Sequence, residues 1–268
     1  MKNFKKILMQ GLLLMMGTTL LAQESEAQND QLQRADERSL QVGIGATNIL
    51  DTYISQEEYT GTEFRVVGQS IHKLKNHPAW QRVFTHSGAL AIASPRAENV
   101  DYLSGLYTLN LAYRHTWNLN SRWMLAAGGQ AEGGVGFLYN TRNSNNPAQA
   151  RIYLNVGPSA QATYCFPLFR KTIRLRYEVA APFFGLLFSP NYGQSYYEIF
   201  SRGNYDHNIV PTTLFAAPTL RHSLVADIPF RHAALRVGYL GDYEQAEVNH
   251  LKYHTYSHLF IIGYVKNL

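Results

Sequence analysis

The feature that most constrains this chain is a strict two-residue alternation that recurs along most of its length. In YTLNLAYRHTW, residues 107 to 117, the odd positions read Tyr107, Leu109, Leu111, Tyr113, His115 and Trp117, and the even positions Thr108, Asn110, Ala112, Arg114 and Thr116. A period of two over this length predicts a β-strand with unlike faces. The alternation leaves open which face meets water.

Read onward, the pattern predicts ten strands at roughly 39–49, 61–73, 80–93, 102–117, 122–138, 150–166, 172–187, 212–228, 232–243 and 250–266. KNHP, NLNS, PLFRK and IPFRH make compact turns. The other connections, NILDTYISQEEYTG, ASPRAENVD, NTRNSNNPAQ, 189–211 and GDYEQAEVN, are longer. Short and long connections alternate, so all short turns fall at one end and all long loops at the other. That sorting predicts an up-and-down antiparallel barrel of the transmembrane kind, with about ten strands within a range of eight to twelve.

The first 22 residues carry Lys2, Lys5 and Lys6 ahead of an apolar run from Ile7 to Leu21, the layout of a signal peptide. Residues 23–38 then read as a polar periplasmic tail and 39–268 as the barrel. Beyond residue 22 no apolar run is long enough for a membrane helix. Cys165 is the single cysteine, so no internal disulfide is available. The formal charge of +5 includes three signal-peptide lysines, and 5 − 3 = +2 gives no reason to expect a nucleic-acid partner.

Composition decides between the faces. A soluble barrel covers its outside with Lys and Glu. Here the polar face holds Gly, Ala, Ser, Thr and Asn with isolated Arg and Glu, and the five remaining lysines, Lys73, Lys75, Lys171, Lys252 and Lys266, sit at strand ends. Trp117, Trp123, Tyr164 and Phe166 gather towards one end and Tyr107, Phe137, Tyr139 and Phe183 towards the other, as membrane interfaces select. The apolar face is therefore expected to meet lipid. On these features the chain resembles the small outer-membrane β-barrel proteins of Gram-negative bacteria, and is similar to uncharacterised barrel families of Bacteroidetes-type bacteria. The ending FIIGYVKNL, with Phe260, Ile262, Tyr264 and Leu268 on one face, looks like the signal read by the barrel-assembly machinery. The resemblance implies outer-membrane lipids as surroundings and a location rather than an activity.

Charges on the inward face are the first candidate site: Glu63, Arg65, Arg114, Glu132, Arg151, Arg174, Arg176, Glu178, Arg221, Asp227 and Arg236. Buried charges need partners, so these predict a bonded network filling the lumen. Seven Arg against four acids also suggests an anion-preferring constriction. The second candidate is the loop SPNYGQSYYEIFSRGNYDHNIVP, whose Tyr192, Tyr196, Tyr197, Phe200 and Tyr205 have the composition of a binding surface for an external ligand, or of a plug folded into the mouth.

Catalytic chemistry is poorly supported. THSG, RHSL and HTYSH place His beside Ser, but adjacent strand residues point to opposite faces. His250, His254 and His258 are four apart, and along a strand that separates them by about 13 Å, too far for one metal ion. GGQAEGGVG lies within a strand and is no phosphate loop. No cofactor or metal is expected. Pro158, Pro182 and Pro218 fall inside predicted strands, each removing a ladder donor, and suggest weakened pairing with lateral access for a lipid. The expected role is thus a non-enzymatic, structural or loop-binding barrel, with a narrow solute pore and a lipid-modifying or lipid-transporting barrel as alternatives.

Overall fold

A computed structural model describes residues 36–96, 101–141, 147–169, 171–230 and 233–267. The expected signal peptide, most of the expected tail and Leu268 lie outside the described residues. The strands are β1 (Glu37–Asp51), β2 (Ser55–Leu74), β3 (His77–Pro95), β4 (Tyr102–Asn118), β5 (Trp123–Asn140), β6 (Ala148–Leu168), β7 (Lys171–Ala180), β8 (Phe184–Phe188), β9 (Ile209–Thr213), β10 (Leu220–Phe230), β11 (Ala233–Val248) and β12 (Leu251–Asn267). A short helix, α1 (Tyr196–Phe200), lies between β8 and β9.

Ten of these strands form a closed antiparallel ring. Each of β1 to β6 pairs with the next, β7 pairs with β10, β10 with β11, and β11 with β12. The ring closes where β1 lies against β12, from Glu37 opposite Asn267 to Asp51 opposite Tyr253. Closure pairs both flanks of the ring strands over most of their length, except where β11 runs past the start of β10.

The two faces are inverted relative to a soluble protein. Along β1, Ser39, Gln41 and Thr47 are buried, whereas Leu40 and Ile44 are 58% and 57% exposed. In the segment that opened the sequence reading, Thr108, Ala112 and Arg114 are buried and Tyr107, Leu109, Leu111, Tyr113 and Trp117 are exposed. A continuous apolar outer belt around a polar interior is stable only where hydrocarbon covers it.

Three features depart from the sequence expectations. β1 starts at Glu37, so the end of the supposed tail is strand. NILDTYISQEEYTG and GDYEQAEVN are mostly strand: β1 reaches β2 through residues 52–54, and β11 turns into β12 at Asn249 and His250, both at positive φ. Past the apolar belt the ladder continues while the hydrophobic alternation that reports it fades. The third departure concerns the predicted strands 172–187 and 212–228. The first breaks at Ala180, and 184–188 continues as β8 beside β6. The second begins only at Leu220, and Ile209–Thr213 forms β9 against β8. Pro182 and Pro218 thus lie between strands, while Pro158 stays inside β6.

The break has a local cause. Ser159 faces Ala180 and Val156 faces Phe184, so residues 181–183 bulge against β6. The Pro158 carbonyl accepts from Ala181, so the side of Pro158 that lacks an N–H also faces this bulge. Gly157 allows the chain to pass: a Cβ there would stand 2.4 Å from the Ala181 carbonyl oxygen.

Candidate functional site

The inward side chains meet in two charged layers. At the short-turn end, Arg176 bonds both oxygens of Glu37 at 2.9 and 2.7 Å. Arg174 reaches Glu37 at 2.7 Å and Asp227 at 2.8 Å, and Arg236 reaches Asp227 at 2.6 Å and Glu37 at 2.9 Å. Above them Arg114 joins Glu178 at 3.3 Å, Ser159 at 3.0 Å and Gln161 at 3.2 Å. Glu178 also lies 3.7 Å from Arg176.

At the loop end, Arg65 bonds Glu63 at 2.7 Å and Asp242 at 2.5 Å. Arg221 bonds Glu132 and lies 3.1 Å from both Asp242 and Glu244. Arg151 pairs with Glu244 and stacks over the Tyr253 ring at 4.6 Å. The Tyr153 hydroxyl donates towards Glu132 and Glu244, each at 3.2 Å.

The structure brings every predicted lumen charge into these layers and adds Glu37, Asp242 and Glu244. Arginines and acids in the network, seven against four in the sequence reading, become seven against 4 + 3 = 7. The excess of positive charge that suggested an anion filter is absent. Glu37 sat in the supposed tail, Glu244 in a supposed loop and Asp242 where the predicted strand 232–243 overlaps that loop, yet Asp242 and Glu244 share the parity of Arg236, and Glu37 that of Gln41. Extending the alternation would have found them. Between the layers lies a cavity of about 100 Å³, bounded by Gln41, Gln69, Asn110, Arg114 and Gln130 among others.

The loop end is covered by residues 189–208. Ser195 caps α1 and forms a reciprocal capping box with Glu198. The Tyr196 hydroxyl accepts the Ala150 N–H at 2.6 Å and donates to Gln149 at 2.9 Å. The Tyr53 hydroxyl donates to the Gln194 carbonyl at 2.9 Å, and Asn249 donates to the carbonyls of Ser189 and His207 at 3.1 and 3.0 Å. Ile199 is fully buried beneath the helix. Of the five loop aromatics, Tyr196 anchors the cap, while Tyr192, Tyr197, Phe200 and Tyr205 are exposed, Phe200 with one face stacked on Tyr196 and Phe188.

Asp51 lies beneath this cap, at the end of β1 and beyond the apolar belt, since the outward Asn48 on the same strand already bonds Glu58 and His254. Burial pushes its carboxyl up to about 7, against the pull of the Tyr53 N–H and the Arg151 charge.

The serine and histidine pairs are split across the wall. Ser87 bonds Thr108 inside while His86 lies outside near Tyr107. Ser257 donates to Glu63 inside, and His254 and His258 stack among Tyr256, Tyr239 and Tyr243 outside. Among the described residues no three His, Cys, Asp or Glu side chains gather as metal ligands.

Several solved barrels resemble this one in fold. The transport unit of the autotransporter AIDA-I from Escherichia coli aligns at a TM-score of 0.46 and 7% identity, over 88% of this chain and 90% of that one. The COG4313 outer membrane channel from Pseudomonas putida F1 aligns at 0.45 and 9%, over 87% and 95%. The outer membrane protease OmpT from Escherichia coli aligns at 0.46 and 6%, over 87% and 97%. No curated protein sequence matches the chain. Residues 7–268 match the family model described as "Protein of unknown function (DUF3316)", and the chain belongs to that family.

Proposed function

We propose that this chain is an outer-membrane barrel whose lumen is closed and whose work is done by the cap facing the cell exterior. The observation that carries this reading is the pairing, among the described residues, of seven luminal arginines with seven acids beneath a hydrogen-bonded cap. An eight-stranded barrel is just filled by its side chains, and ten strands add little room once such a network occupies it. Moving ions would have to displace charges that hold one another in a low dielectric, which is costly. The pore alternative loses its main support with the arginine excess.

The cap supports recognition as the role. Tyr192, Tyr197, Phe200 and Tyr205 stand outward on a scaffold whose underside is fixed by Tyr196, Gln194 and Asn249. Exposed aromatics on a fixed base are poised to bind a surface ligand with little ordering cost. Burying the outer belt in lipid and exposing the cap also fixes orientation, with the short turns in the periplasm.

A thiol-labelling experiment tests this. Cys165 is buried, so Tyr205→Cys adds the accessible thiol. A membrane-impermeant maleimide should label that variant on intact cells and leave the wild type unlabelled. Labelling of Tyr205→Cys only after lysis would remove the proposal.

A further inference from the structure

The pairing order leaves one discontinuity in the wall. β9 pairs with β8 and ends the sheet on that side. Glu244–Val248 of β11 has no strand on its β10 flank, because β10 begins at Leu220 opposite Tyr243. Among the described residues, the backbone bond across this place runs from the Glu247 N–H to the Ala216 carbonyl, at 2.9 Å.

The exposed edge of β9 can be identified from its bonds. The Asn208 carbonyl accepts from Ser189 and the Leu214 N–H donates to the Phe183 carbonyl, so even-numbered backbone groups face β8 and odd-numbered ones face the gap. Pro211 therefore turns its nitrogen, which carries no hydrogen, towards the gap. A strand edge next to hydrocarbon has no water to satisfy its donors, and proline removes one of them.

Both sides of the seam suit an amphiphile. On the outer surface the β8–β9 flank presents Phe184, Leu186 and Ile209, and Phe215 in the following turn is 93% exposed. The β11 flank carries the outward polar residues Gln245 and Glu247. Behind the gap lies a cavity of about 50 Å³ whose lining combines the apolar Leu187, Phe188, Ala246, Val248 and Leu251 with polar groups, among them Asp51, Gln149, Tyr153 and the mutually paired Arg151 and Glu244. An engineered apolar cavity of roughly 150 Å³ holds a benzene ring, so this smaller one has room for a chain terminus and not for a ring or head group.

We propose that the seam between β9 and β11 is a lateral binding site that takes the end of an acyl chain from a membrane amphiphile, with the polar head left outside at Gln245 and Glu247. The proposal rests on the membrane-barrel reading above. It does not depend on what the cap binds.

The test uses palmitic acid carrying a diazirine at its methyl end, in phosphatidylethanolamine and phosphatidylglycerol vesicles containing the full mature chain. After irradiation, adducts are mapped by peptide mass spectrometry. The expected result is labelling of Leu187, Ala246 or Val248 together with outer-belt residues such as Leu40 and Leu154. Ala246→Trp, which fills the cavity, should lose the interior adducts and keep the outer ones. So should an Ala216→Cys, Glu247→Cys pair when oxidised, with recovery on reduction in the same protein, which controls for folding. A labelled belt with unlabelled interior positions in the wild type would overturn the site alone. Interior labelling that survives oxidation of the cysteine pair would also overturn it, because the probe would then enter elsewhere. Absence of belt labelling would overturn the membrane reading itself.

Discussion

Arg176 holds both carboxylate oxygens of Glu37, at 2.9 and 2.7 Å, across the inside of the barrel and across 139 positions of sequence. The same carboxylate serves Arg174 and Arg236, so one acid at the start of β1 ties down cations from β7 and β11.

Removing that acid should be costly. In Glu37→Gln the three buried guanidinium groups would keep Asp227 as the acid they share, with Glu178 3.7 Å from Arg176 alone. Breaking a buried ion pair from one side costs about 3–5 kcal/mol. Urea unfolding of the refolded protein in detergent should show a loss of that order, and Glu37→Asp a smaller one. A loss under about 1 kcal/mol would mean the layer is open to water.

Asp51 gives a pH signature with a definite sign. Its folded pKa of about 7 lies above the unfolded reference of 3.8, so the folded state holds the proton more tightly. Stability conferred by that proton is complete below the reference value and is lost as pH rises to about 7. Asp51→Asn should therefore be more stable than the wild type at pH 8, by on the order of a few kcal/mol, and no more stable at pH 3.5. Melting temperatures of both proteins at the two pH values decide it. An advantage of equal size at both would rule out the titration of Asp51 as its source.

Tyr196 tests how the cap is held. Tyr196→Phe keeps the ring against Phe188 and removes the hydroxyl that joins Ala150 to Gln149. Leaving those groups unpaired costs about 1–3 kcal/mol. Amide exchange in residues 194–200 should speed up by about tenfold or more, while the strands of the ring stay protected. Unchanged exchange would assign the hold on the cap to Tyr53 and Asn249 instead.

At the break in the wall, Gly157→Ala places a methyl group against the Ala181 carbonyl and the Pro182 Cα, 2.4 and 2.7 Å away. The crowding should destabilise the barrel by about 1–3 kcal/mol. Gly133→Ala in β5, where a Cβ has nothing nearer than 3.8 Å, is the control and should cost less than 1 kcal/mol. Equal unfolding midpoints for the two variants would mean that the bulge yields without strain.

The ring of strands and the orientation of its faces were legible because Thr108, Arg114 and their neighbours alternate with Leu109 and Tyr113 under one rule of period two. Glu37 and Glu244 escaped because that rule was read from hydrophobicity, which fades where a strand leaves the apolar belt, whereas Asp242 stood on the inward parity of a predicted strand and was counted with the loop that overlaps it. The β7–β8 break was harder still. Pro158 and Pro182 marked weakened pairing, but nothing in sequence order tells that β9 replaces β10 beside β8, since that exchange depends on a contact across the fold. In the cap, the aromatic composition was visible; that Tyr196 turns inward while Tyr197 turns outward follows from the one helical turn that Ser195 and Glu198 stabilise.

The closed lumen is tested most directly by single-channel recording in a planar bilayer, using protein shown to be folded and inserted. The wild type should pass no discrete current, because each luminal arginine is held by an acid. Arg176→Ala and Arg221→Ala, which open one layer each, should stay silent or show only brief openings. Stable wild-type openings, with an ion selectivity that changes in either variant, would contradict the account and make the charge layers a filter.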